Sequence, residues 1–263
     1  MLPEVFGVNA WVRGVADRIA AAGVSALAMP LFARTAPQLD LAYDQASLVE
    51  GRRHKDQTQA TSILADVVAA AGWLQGQGCQ RLTVVGFCFG GHAALLAATL
   101  PEVHSSINFY GAGICQGRPG GGEPSLTLLP EVDGRLICVC GTADTLIPSE
   151  DQRQIAQSLL KADPTASRLR YVAMDGADHG FMCDARASYH PAAALQGWDL
   201  LMREVLQACG FGLPAALAAR GGAVMVRTAL TTGCSSSLSF FTRGVLRGVR
   251  NMIMFRPSRL GAC

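Results

Sequence analysis

The sequence predicts an α/β protein with a mainly parallel sheet, and three observations carry that prediction. Short apolar runs bounded by Gly, Pro or charge alternate with helix-length segments. Strands that alternate with helices imply βαβ units, and hence parallel neighbours. Half of the 263 residues are hydrophobic and 16% are charged, enough apolar material for a large core and far from the composition of a disordered chain.

Taken in order, a helix over 10–22 leads into an apolar strand at 24–29, VSALAM. A long helix over 57–75 is marked by Ile63, Val67, Ala70 and Ala71, close to a 3.6-residue period. Strand 82–85, helix 91–99 and strand 106–109 follow, and the Gly- and Pro-rich stretch 111–124 reads as a surface connection. Strand 136–140, LICVC, comes next. Pro148 and the capping-box spacing from Ser149 to Gln152 then introduce a helix over 150–160. Strand 169–173 and a helix over 191–208 complete the pattern.

Composition narrows the function. A net charge of +2 gives no reason to expect a nucleic-acid partner. No apolar run reaches the roughly 18 residues of a membrane-spanning helix, and the start lacks the basic and apolar regions of a secretory signal. Nine cysteines are too sparse for a disulfide scaffold, so a cytoplasmic globular protein is expected. The charge is uneven: residues 211–263 hold seven Arg and no acidic residue, which leaves 15 basic against 20 acidic residues before them. The expected organisation is one domain over 1–209 and a basic tail over 210–263. That tail fits a disordered appendage, an out-of-frame translation or a weak surface-binding segment. Phe240, Phe241, Val245, Leu246, Val249, Met252 and Ile253 could form an amphipathic helix against an anionic membrane.

The sharpest chemical signal is Val84-Val85-Gly86-Phe87-Cys88-Phe89-Gly90-Gly91-His92. An apolar strand, Gly-x-Cys-x-Gly and a small-residue helix make a nucleophile elbow with Cys in place of Ser. The glycines leave room for a strained strand-to-helix turn, and the N–H of Phe89 faces the place where an oxyanion would form. A buried structural Cys beside packing glycines is the bland alternative. A dinucleotide loop and a P-loop both fail on spacing, and no His/Cys spacing supports a metal, so no cofactor is expected. An elbow requires an acid and then a His after later strands. Asp144 follows strand 136–140 and His179 follows strand 169–173, so both stand in that order. Asp144 would orient His179, and His179 would exchange protons with the thiol and the leaving group. His54 reads as part of a polar loop, His92 as packing, and His190 as a helix-start residue.

These residues resemble the dienelactone hydrolase (carboxymethylenebutenolidase) family, α/β-hydrolases with a Cys-Asp-His triad. Gly86-Phe87-Cys88-Phe89-Gly90-Gly91, Asp144 and His179-Gly180-Phe181 are similar to its nucleophile, acid and base segments. Pro3-Glu4-Val5-Phe6-Gly7-Val8-Asn9, Ala16-Asp17-Arg18-Ile19 and Leu31-Phe32-Ala33-Arg34 extend the likeness over about residues 3–209. The resemblance implies an α/β-hydrolase fold with helices on both faces of the sheet. It also implies a Glu4 that contacts the thiol and helps ionise it, and a Val5 N–H that completes the oxyanion hole with Phe89. Read alone, Glu4 is a solvated loop carboxylate.

Two departures stand out. The family's earlier strands are missing, and the strand leading into Glu4 is reduced to Met1-Leu2, which suggests a fragment or a mis-assigned start. A substrate-binding Arg of the family is replaced by Cys183, with Arg186 further on. The expected activity is hydrolysis of a small-molecule lactone or other ester through an acyl-enzyme. A thioesterase, a broad carboxylesterase and a non-catalytic remnant of the fold are the alternatives. Redox sensing at Cys88 would need a resolving partner, for which Cys183 is the candidate.

Overall fold

A computed structural model describes residues 1–209 and 252–255. Its apolar runs form β2 (Thr83–Phe87), β3 (Ser105–Phe109), β4 (Arg135–Gly141) and β5 (Leu169–Met174), a parallel sheet in the order β2-β3-β4-β5. Val85, Ile107 and Ile137 stand in register across the first three strands, all nearly inaccessible to solvent. Continuous apolar strands of this kind suit a sheet covered on both faces. The expected run at 24–29 condenses to β1 (Ala26–Ala28), which pairs antiparallel with β6 (Ile253–Phe255). Between β1 and β2 run the first residues of the chain. Leu2 N–H donates to Val85 O (2.8 Å) and Phe87 N–H to Leu2 O (3.2 Å), while Met29 N–H donates to Met1 O (3.1 Å). That bridge aims Glu4 and Val5 at the C-terminal end of β2, where the site forms.

Helix α1 (Ala10–Ala21) is capped by Asn9, whose side chain accepts from Val12 N–H, and it buries Val12, Val15, Ala16 and Ile19. It packs with α6 (Pro191–Ala208) in the apolar cluster that holds Val85, Phe87, Ile107 and Phe109. On the opposite face, α3 (Ala60–Gly76) and α4 (Phe89–Ala97) pack together through Ile63, Val67, Ala93 and Leu96. Helix α5 (Ser149–Ala162) packs on β5. Among the described residues no helix is long and apolar enough to cross a membrane.

Three expectations are corrected. Helix α2 (Gln45–Asp56) was not legible, because it is polar nearly throughout and buries only Gly51 and His54. His54 therefore belongs to a helix, its Nε2 2.9 Å from Glu50, and not to a polar loop. The capping box at Ser149 does not form: the helix starts one residue early, with Pro148 at the cap. Gln152 turns inward instead and donates to the carbonyls of Gly141 (2.9 Å) and Ile147 (2.8 Å). Ile253 lies in a strand, not in an amphipathic helix; Phe240 to Val249, and most of the expected tail, fall outside the described residues.

Asp163 ends α5 and shapes the entry to β5. Its carboxylate accepts from Arg168 N–H (2.7 Å), Leu169 N–H (3.0 Å) and the Thr165 hydroxyl (2.7 Å). These bonds hold its pKa well below the ordinary Asp value. A depressed folded-state pKa stabilises above the unfolded value of about 3.9 and loses that contribution as pH falls through the folded one. Asp163→Asn is expected to lower Tm by several degrees at neutral pH, with the difference shrinking in acid. A pH series of thermal melts on both proteins checks this.

Candidate active site

The turn after β2 is dictated by sterics. Cys88 sits between β2 and α4 with φ 54° and ψ −120°, a conformation that costs a non-Gly residue about 1–3 kcal/mol. Its N–H donates to Phe109 O (3.0 Å) and its carbonyl accepts from His92 N–H (3.1 Å), so the turn is held from both sides. A Cβ on Gly86 would overlap the carbonyl of Gly90, and one on Gly90 would overlap the carbonyls of Leu2 and Pro3. The glycines thus let the strand, the helix and the 2–5 segment meet around one half-buried sulfur.

The two other expected residues reach this point from the loops after β4 and β5. Asp144 Oδ1 accepts from Leu146 N–H (2.8 Å) and Ile147 N–H (3.2 Å), leaving Oδ2 to meet His179 Nδ1 at 2.9 Å. Both side chains are buried. With Nδ1–H given to Asp144, Nε2 is the ring nitrogen turned to the Cys88 sulfur, and in the neutral ring it is a bare acceptor. Burial works against a charge on the ring, but the Cys88 sulfur and the Asp144 carboxylate outweigh it and raise the imidazole to about 10.

Glu4 lies at the same place, buried, but its hydrogen bond is to Arg186 Nη1 (2.7 Å) and not to the thiol. Burial pushes the Glu4 carboxyl pKa up, while Arg186 and then His179 pull against it. The guanidinium lies so close over Gly180 that a Cβ there would overlap it, and it sits 5.9 Å from the ring centroids of Phe6 and Tyr43. Cys183 is buried beside Tyr43 and Glu4, its thiol pushed up to about 11 by burial. Phe89 directly follows Cys88 and shares an apolar cluster with Val5, and neither amide donates a main-chain hydrogen bond among the described residues. Arg186 and Tyr43 were missed as site residues: Arg186 is 182 positions from Glu4, and no local spacing marks that pairing.

Breaking a buried pair strands a charge. Arg186→Ala is expected to cost about 3 kcal/mol, and much less on a Glu4→Gln background. Urea denaturation of the four proteins in the cycle measures the coupling.

The remaining histidines take structural positions. His92 is buried, with Nδ1 3.1 Å from Ala112 O and Nε2 2.7 Å from Ser125 Oγ, and burial brings it down to about 4. It ties the Gly-rich connection to α4 as a neutral ring. His190 caps α6 by accepting from Ala193 N–H (3.2 Å). Among the described residues no three metal-ligating side chains cluster.

A model of the dienelactone hydrolase family matches residues 1–208. A Synechocystis protein provisionally named carboxymethylenebutenolidase is 40% identical over 202 residues, covering 76% of this chain and 81% of the relative. A Bradyrhizobium protein provisionally named 2-oxo-3-(5-oxofuran-2-ylidene)propanoate lactonase is 28% identical over 204 residues, covering 76% and 79%. The crystal structure of a Klebsiella pneumoniae protein described provisionally as a dienelactone hydrolase superposes with a TM-score of 0.67 at 26% identity, covering 78% of this chain and 85% of that one. Sequence, fold and relatives agree: the chain belongs to the dienelactone hydrolase family and is a hydrolase with the α/β-hydrolase fold.

Proposed function

We propose that the chain hydrolyses lactones or other carboxylic esters of small molecules through an acyl-enzyme on Cys88, with residues 1–209 carrying the chemistry. The Cys88 sulfur attacks the carbonyl carbon, and the Val5 and Phe89 N–H groups hold the oxyanion. Glu4 assists ionisation of the thiol when substrate arrives. The thiol's proton passes through His179 to the leaving alkoxide, and a thioester remains. Acylation removes the charge-stabilising sulfur from beside His179, so the imidazole returns toward a proton-accepting state. It then takes a proton from water as that water attacks the thioester, and the thiolate leaves.

The observation that supports this most directly is the 2.9 Å Asp144–His179 contact, which turns Nε2 to the Cys88 sulfur on its strained turn. Lactones are favoured over amides because one relative is named a lactonase. The seven described cysteines are all free, which fits a reducing compartment such as the cytoplasm.

The test is turnover of lactones, short p-nitrophenyl esters and acyl-CoA thioesters before and after selective alkylation of Cys88. Ester and lactone hydrolysis lost in proportion to alkylation is the expected result. A preference for acyl-CoA would reassign the protein as a thioesterase, and a folded chain without turnover on any of them would make it a remnant. Within this mechanism Glu4→Gln should slow acylation more than it weakens substrate binding; single-turnover rates against substrate concentration check it.

A further inference from the structure

Tyr110 carries two costs that packing alone leaves unexplained. It stands directly after β3 at φ 42°, positive for a non-Gly residue, and its hydroxyl is buried without a hydrogen-bond partner. The ring cannot turn to relieve this. It is inaccessible to solvent and packs against Phe181 and His179 (both 5.2 Å, edge-on), Phe87 (6.1 Å) and Phe109 (6.3 Å). Burial, and after it the charge of Glu4, hold the phenol well above its usual pKa, so the hydroxyl remains a donor at any working pH. Glu4, Cys183, Arg186 and Cys88 are the charged or ionisable groups within its electrostatic reach, and its ring touches that of His179.

His179 Nε2 and Glu4 Oε2 are also buried there without a close hydrogen-bond partner, and with the imidazole neutral, as in the acyl-enzyme, both are acceptors. The Tyr43 hydroxyl is already engaged with Glu4 and Cys183, its ring packs on Phe6 (4.7 Å), and Tyr110 alone of the two has ring contact with His179. One fixed donor and two acceptors left open in the same buried site are the complement of a single water molecule.

We propose that the Tyr110 hydroxyl, with His179 Nε2 and Glu4 Oε2, holds the hydrolytic water of deacylation. The water accepts from Tyr110 and donates one proton to Glu4 and the other to His179, which leaves a lone pair for the acyl carbon. The new C–O bond forms as C–S breaks, and the proton taken by His179 returns to the Cys88 sulfur. This assignment rests on the acyl-enzyme reading above.

Stopped-flow hydrolysis of p-nitrophenyl acetate by wild type and Tyr110→Phe separates the two steps. The variant should keep the p-nitrophenol burst rate within about two-fold, while its steady-state rate falls about 10- to 100-fold. Its Tm should be no lower than that of wild type, because a buried unpaired hydroxyl has been removed. An unchanged steady-state rate overturns the assignment. So does a burst that falls in step with turnover, or a lowered Tm accompanying slow acylation, which would make the hydroxyl structural. A wild-type burst that survives alkylation of Cys88 would remove the acyl-enzyme itself, and is thereby distinguishable from failure at Tyr110 alone.

Discussion

Cys88→Ala is expected to lower ester and lactone turnover by roughly 10⁴-fold or more, with residual activity from the oxyanion amides alone. The fold should survive. Alanine at φ 54° bears the same backbone strain as cysteine, and the turn is held by main-chain bonds to Phe109 and His92 that the side chain does not make. The bare His179 Nε2 would remain in place without a nucleophile to serve. Steady-state kinetics with a thermal melt on the same preparation checks both halves, since a large loss of Tm would recast Cys88 as a structural residue.

Gly86→Ala should act in the opposite way, through the backbone. The added methyl would run into the Gly90 carbonyl, main chain that cannot step aside without moving the first turn of α4. Cys88, the Phe89 amide and the Leu2 bridge to Val85 and Phe87 would all shift together. A loss of about 3 kcal/mol or more is expected, with activity lost even in whatever fraction folds. Gly72 supplies the control. It lies inside α3 with open space where a Cβ would go, so Gly72→Ala should stabilise by up to about 1 kcal/mol. Urea denaturation of the two variants should therefore give opposite signs for one chemical change.

The proposed triad could be read from the sequence because each candidate member is announced locally. An elbow needs small residues two positions either side of the nucleophile, and the acid and base must follow strands, so Cys88, Asp144 and His179 could be named before any contact was known. The parallel strands were legible for a similar reason: buried on both faces, they are nearly continuous apolar runs. Helix α2 was not, because its inward side consists of Gly51 and His54 and leaves no apolar stripe. The capping-box spacing at Ser149 misled because Pro148 already starts the helix, leaving Ser149 inside it. Arg186, Tyr43 and Tyr110 escaped notice for a deeper reason. Their meeting with Glu4 and His179 is set by how the loops after three strands converge, and no periodicity encodes it.

The most direct test of the account is covalent. Protein quenched in acid during turnover of p-nitrophenyl acetate, then digested and mapped by mass, should carry an acetyl group on the peptide containing Cys88. The adduct should be absent after prior alkylation of that thiol. Acetyl on another residue, or undiminished turnover by Cys88→Ala, would contradict it.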